Sequence, residues 1–428
     1  MTTATARSRP SAQLLTLDDA RARMLDGLAA LPAETVPLDD ALARVLAEPI
    51  ESRLTLPPWD NSAMDGFAVR AADVLGATPD HPIRLTVVGE SAAGRSSAAE
   101  VTQGTAIRIL TGAPLPDGAD AVVPVEDTDA PMGAAALPES VLIESPRPPG
   151  AHIRRVGSDL REGYPLLAAG THLSPAALAV AAAGGHPQLS VHRAPRIAIL
   201  ATGDELGPVG ATLAPDQIPD SNSVGLAAQG RESGADVRLL GIASDNLADV
   251  IDRLRVGLAW ADVVVVSGGV SVGAHDVVKD AFDAVGQVDL WRVAVQPGKP
   301  LAYGRAHAQG REGEVLMFGL PGNPVSSFVT FELFVRPVLR RLAGHSDVIG
   351  RDSVLATLAE PVTKSPGRRA FLRVRLERGT DGAWVASLAG GQDSHVLSAL
   401  AAANGLAIVS EDDDSLPTGA QVEVIRLR

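Results

Sequence analysis

Apolar residues recur at helical spacing between Leu17 and Leu28, with Asp18 and Asp19 where acidic groups favour a helix start. The pattern predicts a second, short helix over Leu38–Leu46. From about Pro49 to Pro146 it changes to short apolar runs, Ile83–Val88, Ala106–Leu110 and Ala121–Val125 among them, separated by turns such as Pro114–Gly118. No long helical period intervenes, so this stretch reads as a β-rich insert.

From Arg196 strands and helices alternate. Ile197–Leu200 and Val237–Leu240 read as strands, and Val263–Val266 as a β-branched strand of the kind a parallel sheet buries on both faces. Ser221–Glu232 fits a helix capped by Ser221 or Asn222. A further helix has Asp245 or Asn246 as its cap and Leu247, Val250, Ile251, Leu254 and Leu258 on one face. This alternation predicts a doubly wound α/β domain. Its last helix starts near Pro324, after the strand Val315–Phe318, and must bend or end before Pro337. After Leu342 the runs Val354–Leu358, Ala370–Leu376, Ala383–Leu388 and Val422–Ile425, with a turn signal at Asp381–Gly382, predict a small β domain. The acidic run Glu411–Asp414 reads as a solvated loop.

At 428 residues the chain has room for about three domains of roughly 150 residues. Aromatic residues make up 3% and the net charge is -14, which argues against stacking on bases and against a general affinity for nucleic acid or acidic membranes. The absence of cysteine excludes disulfides, thiolate metal sites and thiol catalysis, so any metal takes oxygen or imidazole ligands. Met1–Gln13 carries Arg7 and Arg9 with no apolar segment behind them, and no apolar run approaches the ~20 residues that span a bilayer. A cytoplasmic protein is expected.

Ligands of open α/β sheets sit at the carboxyl ends of the strands. Ser267-Gly268-Gly269-Val270-Ser271-Val272-Gly273 follows one strand, with Asp276 opening the next helix. Its glycines suit a phosphate cradle or merely a tight turn. Gly269-x-Ser271-x-Gly273 also matches a hydrolase nucleophile elbow, with His307, His345 or His395 as partner, but that reading leaves the other motifs unexplained. Gly319-Leu320-Pro321-Gly322-Asn323-Pro324 is a second loop opening a helix, and Thr202-Gly203-Asp204-Glu205 follows the first strand. Beside two such loops, Glu205 and Asp276 suit Mg²⁺, which bridges carboxylates to phosphates. Only three lysines occur, and Lys299 lies in the rigid turn Gln296–Pro300, with Arg292 upstream. The sequence contains no HExxH, GxxxxGK or GxGxxG, which removes the main support for zinc proteases, P-loop NTPases and dinucleotide enzymes.

Pro58-Trp59-Asp60-Asn61-Ser62-Ala63-Met64-Asp65-Gly66-Phe67-Ala68 resembles the most distinctive string of the molybdopterin molybdenumtransferase family, which includes MoeA and the gephyrin E domain. The resemblance continues through Ile107–Pro114, Ile153–Asp159, Thr202–Glu205, Ser267–Gly273, Gln296–Pro300 and Gly319–Pro324. Weaker matches follow at Gly367–Arg373 and Gln392–His395. It implies a multidomain α/β plus β protein: a helix and bipartite linker domain (11–48 with 147–176), a β-rich insert (49–146), a doubly wound α/β molybdopterin-binding domain (177–342) and a C-terminal small β-barrel (343–428).

The implied reaction takes adenylylated molybdopterin and molybdate and, with Mg²⁺, forms molybdenum cofactor and AMP. The implied assembly is a homodimer whose active site lies between subunits. Transient contacts with molybdopterin adenylyltransferase and with enzymes that accept the cofactor go with it. By the resemblance, Asp65, Thr111, Glu205 and Asp276 are catalytic, with Glu205, Asp276 and Asp65 toward the metal and Asp65 arriving from a partner subunit. Asp159 and Asp245 match further acidic positions. Gly268, Gly269, Ser271, Gly273, Pro321, Gly322 and Asn323 supply the loops, and Arg292, Lys299, Arg368 and Ser394 are candidates for molybdate or phosphate. Arg292 and Gln296 stand where some relatives carry lysine, and Ala370 replaces an acidic residue. The rivals are nucleotidyl transfer, since the α/β domain is shared with molybdopterin adenylyltransferases, and a dimeric scaffold.

Overall fold

A computed structural model describes residues 14–131, 136–269, 277–307, 310 and 313–427. Helix α1 (Leu17–Leu25) begins at Thr16, whose hydroxyl accepts the Asp19 amide at 3.0 Å. The helix expected over Leu38–Leu46 is absent: only a single turn forms at Leu38–Asp40. The amides of Ala43, Leu46 and Ala47 instead donate to Leu173, Thr171 and Ser190 carbonyls, so the segment is held extended against a later piece of chain. Val45 and Leu46 are buried there, and burial overrides a marginal helical pattern.

The insert is a five-stranded sheet of β1 (Gly66–Val69), β2 (Ile83–Ser91), β3 (Thr105–Ile109), β4 (Ala121–Pro124) and β5 (Ser140–Ile143), in the order β4-β1-β3-β2-β5. Phe67, Leu85, Ala106 and Val123 fill its core. Short ladders join Ala33–Pro37 to Gln188–His192 and Ile50–Glu51 to Pro165–Leu167, beside helix α2 (Pro175–Ala183).

The α/β layer comprises β6 (Arg196–Thr202), α3 (Ser221–Glu232), β7 (Asp236–Ala243), α4 (Leu247–Leu258), β8 (Val263–Ser267) and α5 (Val277–Val285). It continues with β9 (Gln287–Arg292), β10 (Pro300–His307), β11 (Glu314–Leu320), α6 (Pro324–Thr330) and α7 (Arg336–Leu342). The sheet order is β7-β6-β8-β11-β10-β9. Its first four strands are parallel, and β10 runs against both neighbours. Alternation along the strands explains the two layers of helices. Ile197, Ile199, Val263 and Val265 face one core, with α3 and α7, while Ala198, Leu200, Val264 and Val266 face the other, with α4 and α5. Between α6 and α7 the helix widens into a π turn over Phe331–Val335, which carries the chain into Pro337 in the first turn of α7 without ending the helix.

The C-terminal strands β12 (Ser353–Leu358), β13 (Arg369–Arg378), β14 (Trp384–Leu388), β15 (Gly405–Val409) and β16 (Gln421–Arg426) close on themselves in the order β13-β14-β12-β16-β15-β13. The result is a five-stranded barrel around Leu358, Leu372, Val374 and Val424. β15 escaped the sequence pattern. Glu411 pairs with Arg369 at 2.9 Å, so the acidic run is partly tied to the barrel and not wholly solvated.

Candidate functional site

Strand β6 has β7 on one side and β8 on the other, so the order in which strands are added to the sheet reverses between β6 and β8. That is the switch point at which open sheets leave a crevice at their carboxyl edge. A cleft of about 870 Å³ opens there, walled by the ends of β6, β8 and β11 and the start of α3. Antiparallel β10 starts where β11 ends, and β9 ends beside it. Arg292 and Lys299, flanking that hairpin, therefore reach the same edge and line the cleft.

Two loops form its floor. Gly268 (φ +103°) and Gly269 (φ +64°) turn the chain away from β8 in the left-handed region that glycine tolerates. A Cβ on Gly268 would collide with the Thr202 carbonyl and one on Gly269 would lie 2.6 Å from Val278 Cγ2. Asn222 ties this turn to the second loop, its Nδ2 donating to Ser267 Oγ (2.9 Å) and to the Gly322 carbonyl (2.7 Å). It can do so because α3 is capped by Asp220, which accepts the Ser223 amide at 3.0 Å, and not by Ser221 or Asn222 as expected. Sequence reasoning offered Asn222 only as a cap. Its linking role could not be read from spacing, since its partners lie 45 and 100 residues away.

The main-chain donors expected to face an anion are partly engaged. The Gly268 amide donates to Leu320 O at 3.1 Å. At the start of α6, Pro324 has no N–H and the Val325 amide donates to Ser394 O at 3.1 Å. Asn323 Nδ2 also donates to Ser394 Oγ at 3.0 Å. Ser394 thus docks the barrel onto the second loop, and its neighbour His395 lines the cleft. Arg373, fully buried in the barrel, fixes that docking segment by donating to the carbonyls of Gly391 (2.9 Å) and Asp393 (3.1 Å). Burial and the loss of water around it hold its guanidinium below the usual value, opposed by the charge of Asp393.

Of the acids, Glu205 and Asp245 line the cleft. The Glu205 carboxylate folds over Gly203, its Cδ 2.7 Å from where a Cβ would stand, and the Asp245 amide donates to Asp204 Oδ1 at 3.1 Å. Among the described residues no three His, Asp or Glu side chains close on one point. Pro321, Gly322 and Asn323 also line the cleft, whereas Arg368 is half-buried outside it. Ser271, Gly273 and Asp276 lie outside the described residues.

Asp65, Thr111 and Asp159 do not line this cleft. Asp65 Oδ1 accepts the Thr111 amide (2.6 Å) and hydroxyl (2.8 Å), making a compact acidic turn on the insert. Nearby, the Val156 amide and the Arg155 guanidinium hold the Asp60 carboxyl below its usual value. Asp159 is exposed. Of the three histidines weighed for a hydrolase, His307 is exposed beside Glu314 and His345 stacks on His172, both away from the cleft.

Three family models span the chain: the MoeA N-terminal region (domains I and II) over residues 15–185, a probable molybdopterin binding domain over 198–341, and the MoeA C-terminal region (domain IV) over 356–427. The chain is 42% identical over 399 residues to molybdopterin molybdenumtransferase 2 of Mycobacterium tuberculosis, covering 91% of this chain and 94% of that protein. It is 34% identical over 417 residues to the molybdopterin molybdenumtransferase of Haemophilus influenzae, covering 96% and 98%. Two crystal structures of the molybdopterin biosynthesis MoeA protein of Pyrococcus horikoshii superpose with TM-scores of 0.78 and 0.79 at 32% and 28% identity, each over 97% of this chain and 100% of theirs. Motif order, sheet topology, barrel and overall likeness agree from end to end: the chain belongs to the molybdopterin molybdenumtransferase family of MoeA.

Proposed function

We propose that this chain is a molybdopterin molybdenumtransferase that carries out the final step of molybdenum cofactor synthesis, inserting molybdenum from molybdate into adenylylated molybdopterin and releasing AMP. The observation that carries the reading is the switch-point cleft itself, with its paired glycine loops and the cations Arg292 and Lys299, in a chain that matches the family along its length. Both substrates are anions, one with a phosphoanhydride and one a tetrahedral oxyanion. A protein of net charge -14 needs local positive charge to admit them.

The donors at the cleft are hard oxygens, which suit Mg²⁺. That ion keeps several waters and takes one or two carboxylates plus phosphate oxygens, so no closed protein cage is required. Glu205 and Asp245 would hold it, joined by Asp276, and the metal would supply charge neutralisation at the phosphoanhydride. Lys299 and Arg292 bind and orient the anions, and Asn222 keeps the two loops at a set separation. The rate gain comes from positioning and from charge placed in advance, with no protein nucleophile.

We infer in addition that the protein works in the cytoplasm as a homodimer, with Asp65, Thr111 and Asp159 completing the cleft of a partner subunit, since they do not reach the cleft of their own chain. It would meet molybdopterin adenylyltransferase and the enzymes that accept the cofactor only transiently, and bind no nucleic acid. Among the described residues no helix is long and apolar enough to cross a membrane.

The test is AMP release from adenylylated molybdopterin by purified protein with Mg²⁺, with and without molybdate. We expect molybdate-dependent release, lowered at least about a hundredfold in Glu205→Ala, as on removal of other pre-placed charge-stabilising groups. Binding of the pterin nucleotide with no release of AMP would overturn the reading.

A further inference from the structure

The barrel domain meets the α/β layer at two places beside the cleft. Val295–Gln296, in the loop between the cations Arg292 and Lys299, pairs with Arg369–Ala370 of β13, and the Arg369 amide donates to Ala294 O at 2.9 Å. At the second loop Ser394 is engaged twice, its carbonyl accepting the Val325 amide (3.1 Å) and its hydroxyl Asn323 Nδ2 (3.0 Å). The next residue, His395, is the one member of the barrel domain among the described residues that lines the cleft. It does so together with Arg292 and Lys299.

His395 is exposed, and among the described residues its ring meets no hydrogen-bond or ion-pair partner. Its main chain, by contrast, is pinned. The Gln392 side chain pairs with both main-chain groups of Arg373 (3.0 and 3.1 Å), the Arg373 guanidinium holds the Gly391 and Asp393 carbonyls, and the His395 carbonyl accepts the Leu397 amide at 2.9 Å. A side chain on so fixed a segment has less freedom to lose when it meets a ligand. An imidazole carries an N–H donor in either protonation state, and hydrogen bonds to charged acceptors are the strong ones. We propose that His395 is a substrate-contacting residue: its ring N–H donates to a tetrahedral oxyanion, a phosphoryl or molybdate group, that Arg292 and Lys299 draw to the same cleft. The inference rests on the function proposed above and gives the barrel domain a part in recognising the substrate.

The experiment compares wild type with His395→Ala and His395→Gln, as the full chain. It reads calorimetric titration with ADP and, separately, with molybdate, the melting temperature without ligand, and molybdate-dependent AMP release. His395→Ala should weaken one of the two titrations about tenfold or more, as for a hydrogen bond to a charged group, and His395→Gln, which keeps an N–H donor, should recover part of the loss. Loss in the ADP arm assigns the contact to a phosphoryl oxygen, and loss in the molybdate arm to molybdate. Because the ring is exposed, the ligand-free melting temperature should stay at the wild-type value in both variants. Unchanged affinities in both arms overturn the inference, as does a loss of affinity matched by a fall in melting temperature, which would mean that the barrel contact itself had been disturbed. In either case wild-type AMP release leaves the function standing. A wild type that binds neither ligand and releases no AMP overturns both.

Discussion

Gly268 shows how narrowly the site is drawn at the level of one residue. Its φ of +103° already disfavours any side chain, and a Cβ would collide with the Thr202 carbonyl. Gly268→Ala should therefore destabilise the chain by about 1–3 kcal/mol, the usual scale of such backbone strain, and weaken binding of the pterin nucleotide. Gly322 is the internal control. A Cβ there meets only the Gly268 Cα, at 3.6 Å, an ordinary contact. Urea denaturation of Gly268→Ala and Gly322→Ala should separate clearly, with only the first losing stability. Equal midpoints would mean that the loop relaxes freely and that the glycine is not required there.

At the scale of elements, the site depends on how α3 begins. Because Asp220 caps the helix, the Asn222 side chain is free to bridge Ser267 at the end of β8 and Gly322 after β11. Removing both donors with Asn222→Ala should cost about 1–2 kcal/mol, the net worth of two ordinary hydrogen bonds, and raise KM for the pterin nucleotide. Asn222→Asp keeps the shape but turns a carboxylate toward the Gly322 carbonyl and the incoming anion, so its KM should rise further than that of the alanine variant. Steady-state kinetics of the pair check this, and an aspartate no worse than alanine would show that the bridge does not shape the anion site.

The whole molecule is joined at places where its sheets and barrel meet. Arg351, between α7 and the barrel, donates to Glu332 (2.7 Å), Glu232 (2.8 Å) and the Leu427 carbonyl (2.9 Å), binding the π turn, α3 and the residue after the last strand together. Near by, His345 stacks on His172 from the other side of the chain, ring centroids 5.4 Å apart. Burial lowers the His345 value to about 4, and the charges of Arg340, His172 and Arg336 act the same way against that of Asp347. The imidazole is thus neutral in the folded chain under conditions where the unfolded chain protonates it. The unfolded state binds the extra proton, so this stabilisation is complete above pH ~6.5 and is lost as pH falls toward 4. Replacing His345 by glutamine should flatten the fall in melting temperature between those limits. An unchanged slope would show that other groups govern the acid limb.

Strong, local patterns survived the passage from sequence to structure. The β-branched run Val263–Val266 had to be a buried strand, Asn246 did cap its helix, and the Pro/Gly turns marked the β-rich insert. The motif strings carried the family, because close approach of backbone to ligand demands particular glycines in a particular order. What tertiary structure alone decided were the contacts between distant segments. Val45 and Leu46 are extended because segments more than a hundred residues later take their hydrogen bonds. The expected anion donor at Gly268 is engaged by Leu320 at the end of neighbouring β11, and that at Val325 by Ser394 because the barrel docks on the second loop. Thr202 keeps a buried, unpaired hydroxyl beneath the glycine turn that follows β8. Sequence spacing reports periodicity along one chain, while the use of each donor and acceptor depends on which distant groups the folded chain brings within about 3 Å.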